Sequence, residues 1–419
     1  MKYNRVVVTG IGAITPLGNS VSAFWNGLKN GVSGANDITT FDTTHFRTKF
    51  ACEIKNYHPD NYFDKKEIKK LDRFGQYAHI AADEAIQDAA LLNYDLLNKK
   101  KVGVLFTSGF GGVQTFEQEL FNYFQNNKNP RSFSPYFVPR TLLDLVSGSI
   151  AIKYGFKGIN FSVVAACASS TNALIEAMHY IRLGKADVII VGGSEASITE
   201  VAIGAFGALR ALSERNDSPQ TASRPFDLHR DGFVMGEGSG CMVVESLEHA
   251  QKRNAKVYAE LAGGSINADA YHITAPQPDG ESVIDVMEDA LEDAGLHYSE
   301  IDYINVHGTS TPLGDIAEIK AIQQAFKEHA YQLNISATKS MTGHLMGAAG
   351  IVEAVASVLA MQHNLVPPTI NHFERDENFD ARLNFTFNQA QQKNIRAVLS
   401  NNFGFGGHNA SIVFKKFEE

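Results

Sequence analysis

Short apolar runs rich in β-branched residues recur along the chain, at 6–9, 102–106, 188–191, 241–245, 257–261, 303–306, 397–400 and 410–414. Most are near-continuously apolar, the pattern of strands buried on both faces. Helical patterns lie between them. The stretch 73–90 is alanine-rich and amphipathic, 169–183 ends at the stop signal Gly184, 282–294 ends at Gly295, and 347–362 is strongly apolar. Strands alternating with helices predict an α/β layered fold. Each half of the chain runs strand, helix, strand and then a glycine-rich crossing, with VIIVGGSEA and VLSNNFGFGG in comparable late places. This predicts an internal duplication with a divide near 255–262. Polar loops are expected at 213–232, 269–280 and 367–381.

A length of 419 residues is long for one simple core and fits two domains or one duplicated unit. The net charge of -9 sets nucleic acid aside as a partner, because such proteins carry a basic excess. Three cysteines, far apart and odd in number, support neither a disulfide framework nor a metal site, and suit a reducing cytoplasm. The N-terminus lacks a secretory apolar region, and no apolar run approaches the eighteen residues of a membrane span.

The candidate chemistry sits in four glycine-rich segments: AACASST around Cys167, VHGTSTPLGD around His307, TKSMTGHLMGAAG with Lys339 and His344, and NNFGFGGHN around Phe405. Cys167 follows a buried-strand pattern and precedes a clear helix. At that turn, free amides and the helix dipole are expected to stabilise a thiolate and an oxyanion. Cys52 and Cys241 read as small buried hydrophobes. His307 ends an apolar run, at the strand end where α/β sheets place ligands. His344 lies among glycines that permit close backbone approach. A thiol with two imidazoles is equipment for covalent acyl chemistry. Glu353 is a candidate charge partner for the site, and Asp315 is expected to cap the helix after it. The opening VVVTGIGAITPLG fails as a dinucleotide fingerprint, since Thr15 stands at the third glycine.

These motifs together resemble the β-ketoacyl-[acyl-carrier-protein] synthases, in particular the elongating synthase II type of bacterial fatty-acid synthesis. The likeness runs end to end, through TASRPFDLHRDGFVMGEGSG to FGFGGHNASIVF. It implies a thiolase-like duplicated fold in five layers, α-β-α-β-α, with an N-terminal half at 1–257 carrying the cysteine and a C-terminal half at 258–419 carrying the histidines. It also implies a cytoplasmic homodimer that needs no cofactor or metal, does not insert in membranes and works on acyl carrier protein.

By residue, the resemblance makes Cys167 the acyl-accepting nucleophile, with its own amide and that of Phe405 as oxyanion hole. His307 and His344 would promote decarboxylation of the malonyl donor. Lys339 would organise the site with Glu353 and Asp315 in support, and Phe405 would be a gate. It puts Phe110, Phe137 and Phe206 at the acyl pocket. Phe110 stands where such synthases often carry a smaller aliphatic residue, so shorter primers are expected. Lys66, Lys69, Lys70, Arg131 and Arg210 would dock the acidic carrier protein. The chain departs from the family's frequent pattern at His408, after GFGG, and in the ASS that follows the nucleophile. A specialised polyketide, aryl-polyene or pigment ketosynthase shares every motif. A non-elongating partner subunit usually lacks the nucleophile.

Overall fold

The computed structural model describes residues 3–418. Ten strands form its main sheet: β1 (Val6–Ile14), β2 (Val102–Thr107), β3 (Asn160–Phe161), β4 (Val188–Glu195), β5 (Gly238–Ser246), β6 (Ala259–Ala268), β7 (Tyr303–Asn305), β8 (Asn334–Ser336), β9 (Ala397–Gly404) and β10 (His408–Lys415). Their spatial order is β3-β2-β4-β5-β1 followed by β6-β10-β9-β7-β8. The second five strands therefore repeat the first in mirrored order. Pairings repeat too: β1–β5 and β5–β4 are antiparallel, β4–β2 and β2–β3 parallel, and so are their counterparts. The two sets join only where Val7 faces Glu260 and Val8 faces Ala259.

The helices that place the site are α1 (Lys65–Lys70), α2 (Arg73–Asp88), α3 (Val113–Gln125), α4 (Leu145–Tyr154), α5 (Ser169–Arg182), α6 (Glu200–Ala208), α7 (Glu281–Ala294), α8 (Pro312–Phe326), α9 (Lys339–Thr342) and α10 (Ala349–His363). α2 packs on β1, β5 and β4, while α7 packs on β6 and β10. α5 and α10 touch strands of both sets and each other. This gives the expected layering: an outer helix, a sheet, the α5–α10 pair, a second sheet, an outer helix. The largest apolar cluster lies on the middle layer, with separate clusters under α2 and under α7 and α8.

Local chemistry explains these elements. Asp72 caps α2 by accepting from the Phe74 amide, and α7 stops at Gly295, which adopts φ 64°. The glycines of the opening strand seat a helix rather than a phosphate. A Cβ on Gly10 would lie 2.2 Å from the Ala85 carbonyl oxygen, and one on Gly12 2.0 Å from that of Ala81, so α2 rides directly on the β1 backbone.

One expectation is corrected. Met346–His363 is long and apolar enough to cross a membrane, the one such helix among the described residues. It is 89% buried because it forms half of the middle layer, which has a sheet on either side and α5 alongside.

Candidate functional site

The duplication brings two equivalent strand-to-helix turns together, one before α5 and one before α10. Each is a 3₁₀ turn, Ala166–Ala168 and Met346–Ala348, and each opens on a left-handed residue, Ala166 and Met346, both at φ 48°. Non-glycine residues seldom adopt that conformation, so both turns hold strain. Ser169 braces the first by accepting from the Ala165 amide at 2.9 Å and donating to the Ala166 carbonyl at 2.6 Å. Cys167 and Gly347 occupy the same place in the two turns.

His344, just before the second turn, reaches the first: its Nε2 lies 3.0 Å from Cys167 Sγ. The His344 backbone is strapped on both sides, donating to the Val234 carbonyl at 2.7 Å and accepting from the Gly236 amide at 2.9 Å. His307 follows β7, its ring 5.4 Å from that of His344 and perpendicular to it. Glu318, inside α8, fixes the His307 loop by accepting from the His307 and Gly308 amides, each at 2.8 Å. Gly308 sits at φ 36°, where a side chain would be strained.

Lys339 opens α9 and is buried, as is Glu353 in α10. The Lys339 ammonium donates to Glu353 Oε1. Glu353 Oε2 accepts from Asn402 Nδ2 at 2.7 Å, and Asn402 Oδ1 accepts from the Thr171 hydroxyl at 2.5 Å. One polar chain thus ties α9, α10, β9 and α5 beneath the cysteine. Burial holds Glu353 above its usual range against the Lys339 charge.

Electrostatics keep the site neutral at rest. Burial, with the Lys339 charge, pushes both histidines well below their ordinary value, and His344 adds to the effect on His307. Burial also pushes the Cys167 thiol up to about 11, against the Lys339 charge and the amides of Phe405 and Cys167 itself. Burial is the largest influence on the thiol and opposes the expected thiolate, which the Lys339 charge and the two amides favour. The thiol and His344 Nε2 therefore share a hydrogen bond between two neutral groups. The amides of Phe405 and Cys167 are near enough to favour the charged sulfur. Phe405 lies in the β9–β10 hairpin, whose Gly406 and Gly407 adopt φ 85° and 72°, and a Cβ on Gly404 would approach the Cys167 nitrogen to 2.9 Å.

Residues 3–250 match the β-ketoacyl synthase N-terminal domain, and residues 258–373 match the β-ketoacyl synthase C-terminal domain. The chain belongs to the β-ketoacyl synthase family. It is 48% identical over 415 residues to 3-oxoacyl-[acyl-carrier-protein] synthase 2 of Staphylococcus aureus (strain COL), covering 99% of each chain. The corresponding protein of Coxiella burnetii (strain RSA 493 / Nine Mile phase I) is 46% identical over 416 residues, again with 99% of each covered. A solved complex of a type II PKS acyl-carrier protein with its ketosynthase bound to the hexaketide superposes with a TM-score of 0.92 at 33% identity, over 99% of this chain and 100% of that one. A β-ketoacyl synthase from Burkholderia phymatum STM815 gives 0.91 at 31%, with the same coverage.

Around this synthase-family site, Phe206 in α6 is buried and meets Phe110, Phe233 and Phe405, with centroids 5.8, 5.6 and 6.4 Å away. Phe233 in turn packs on His344 at 5.4 Å. Phe110 is 42% exposed within this chain, so its ring stands at the mouth of that aromatic row instead of in a packed pocket. Phe137 does not join the row. It stacks on Phe133 at 5.4 Å and packs on Phe116, within an aromatic face beside α3. Asp315 is not the α8 cap: Thr311 holds that position, and Asp315, one turn inside, accepts from the Ser310 and Phe226 amides. Its side chain lies 3.6 Å from Arg230, and burial pushes it up to about 6. Lys66, Lys69 and Lys70 on α1, with Arg131 and Arg210, are all exposed. Among the described residues no group of His, Cys, Asp or Glu is placed to hold a metal ion.

The sequence reading missed Glu318 and Glu195. Glu318 shares α8 with Asp315, and Glu195 closes an apolar strand with no motif that marks it.

Glu353→Ala leaves the Lys339 charge buried and unpaired and is expected to lower the unfolding free energy by about 3–5 kcal/mol. The double variant Lys339→Met with Glu353→Leu should regain most of that loss. Chemical denaturation of the three proteins reads the difference.

Proposed function

We propose that this chain catalyses the decarboxylating condensation of an acyl thioester with malonyl-[acyl-carrier-protein], in fatty-acid elongation. The observation that carries the reading is the pairing of Cys167 Sγ with His344 Nε2 at 3.0 Å, with the His307 ring 5.4 Å from that of His344. Full-length identity of 46–48% to synthases 2 supports elongation over a polyketide role, for which the similar type II PKS ketosynthase stands at 33%.

In the first half-reaction the Cys167 sulfur attacks the acyl thioester carbonyl as its proton leaves, and the carrier thiol departs with a proton. The Cys167 and Phe405 amides stabilise the tetrahedral oxyanion. Phe405, on its glycine hairpin, acts as the gate. In the second, CO2 leaves the malonyl group and its C–C electron pair becomes an enolate. Neutral His307 and His344 can donate N–H bonds to that enolate oxygen, which imidazoles kept below their ordinary value are suited to do. The enolate carbon attacks the acyl-Cys167 carbonyl, the C–S bond breaks, the β-ketoacyl thioester leaves, and the released Cys167 sulfur takes up a proton from solvent to return to the thiol. Lys339, held by Glu353, supplies the charge that favours the thiolate, and Asp315 with Arg230 supports the loop after His307.

The carrier protein would dock on the exposed cations Lys66, Lys69, Lys70, Arg131 and Arg210, a local basic patch on an acidic enzyme. Phe110 and Phe206 would line the acyl pocket. A homodimer is supported by the exposed rings of Phe116, Phe121 and Phe124 on α3 and by the edge strand β3. The halves would divide at 257/258, between the two family matches, and the enzyme would work in the cytoplasm, in keeping with three unpaired cysteines.

Intact-mass analysis with acyl carrier proteins of graded chain length should show one acyl adduct on the wild type and none on Cys167→Ala. An adduct persisting on the variant would sink the nucleophile assignment. Charge reversal at Lys69 and Lys70 should raise KM for carrier-linked substrates on the order of tenfold at low salt, and spare small thioesters; equal losses for both would argue against docking. Sedimentation equilibrium should give twice the chain mass, and a monomer at micromolar concentration would remove the dimer.

A further inference from the structure

Glu195 ends β4 beside the site and is fully buried. Its carboxylate accepts four hydrogen bonds from two separate segments. Ser108 Oγ donates at 2.9 Å, and the amides of Gly109 and Phe110 at 2.7 and 3.2 Å, all from the loop between β2 and α3. The fourth donor is the Gly347 amide at 3.1 Å, from the turn between His344 and α10. The two backbones are in contact here: a Cβ on Gly347 would lie 2.3 Å from the Gly109 nitrogen, and one on Gly109 3.0 Å from the carboxylate.

All four donors are neutral, and burial still pushes this carboxyl up to about 7. A buried acid without a cation is costly, and only its complete set of donors makes it tolerable. What that cost secures is position. The clamp fixes the backbone of Phe110, whose ring begins the aromatic row through Phe206 and Phe233 to His344. It fixes in the same stroke the turn that follows His344. An acyl chain on Cys167 that runs past Phe206 meets Phe110 next. Phe110 can yield by rotating its ring, but its backbone can yield only by breaking bonds to Glu195.

We propose that Glu195 is a positioning residue that limits the acyl-chain length the site accepts, by pinning the Phe110 loop to the turn behind His344. This rests on the reading of Phe110 as part of the acyl pocket. Glu195 touches neither the thiol nor the histidines; its charge also helps the thiol keep its proton, but that influence is common to every chain and cancels in the ratio between long and short chains.

The test is the rate of Cys167 acylation by acyl carrier proteins of graded chain length, read by intact mass, for the wild type, Phe110→Ala, Glu195→Gln and Ser108→Ala. Glu195→Gln keeps the shape but must turn an N–H toward one of the donors. The long-to-short ratio is expected to rise on the order of tenfold, the scale of one hydrogen bond to a charged acceptor. Ser108→Ala removes one donor and keeps the acid, so it should move the ratio the same way by less; it also carries the test should Glu195→Gln fail to fold. If Phe110→Ala shifts the chain-length profile while the other two variants leave the ratio unchanged, or slow every chain equally, the clamp is overturned and the pocket reading survives. If Phe110→Ala leaves the profile unchanged, the pocket reading fails and takes the clamp with it.

Discussion

The buried pair of Lys339 and Glu353 is the constraint on which the site's geometry hangs. Two opposite charges in an apolar middle layer are tolerable only together and only with their remaining bonding capacity met. Glu353 meets this by taking Lys339 on one oxygen and Asn402 on the other, and Asn402 passes the linkage to Thr171. The four residues lie on α9, α10, β9 and α5, so the polar chain cannot be satisfied unless both halves are in register. A packing error that separated the halves would strand a charge. The same cation is close enough to act on Cys167, His307 and His344, so one interaction sets both the register and the local field.

Duplication supplies the frame in which that pair works. Two identical strand orders place two helix-start turns face to face, and the chain uses them differently. The first carries the thiol at Cys167. The second has glycine at the matching Gly347, because the Gly109 backbone occupies the space a side chain would need. The imidazole comes instead from His344, three residues earlier, held by the Val234 and Gly236 backbone. Symmetry in the fold thus gives proximity, and asymmetry in two turns gives distinct chemical roles.

Most of this frame was legible in the chain. Eight apolar runs fell on eight strands, and four helical patterns fell on α2, α5, α7 and α10, because strands and helices buried in layers carry long, unambiguous apolar signals. Of the short strands, β8 matches the apparent strand NISA before Lys339, while the buried-strand pattern at 161–166 is strand only at Phe161, where the two-residue β3 ends. Cys167, His307, His344, Lys339 and Phe405 did converge, each marked by its glycine-rich segment. What the sequence could not show was set by partners distant in the chain. Glu195 meets Ser108 and Gly347, 87 and 152 residues away, and nothing local announces it. Phe137 resembles Phe206 as a residue, yet α3 draws it into a different aromatic face. For the thiol, the helix start that favours a thiolate is visible in sequence, while the burial that opposes it is not.

That opposition bears on mechanism. A thiolate–imidazolium pair at rest would leave His344 charged when the proposed condensation needs a neutral donor for an enolate. Burial and Lys339 act on the histidines in the same direction, both favouring the neutral ring. On the thiol they oppose each other, and burial wins. The resting site is therefore neutral apart from the compensated Lys339–Glu353 pair. Beyond the sulfur itself, negative charge would arise in two places, on the tetrahedral oxygen at the Cys167 and Phe405 amides and on the enolate oxygen at the imidazoles. Both are low-dielectric positions with donors already aimed, where a developing charge gains most from fixed dipoles and no water need reorganise. Desolvation that makes the nucleophile sluggish toward a proton is thus the same property that would make the site responsive to its substrates.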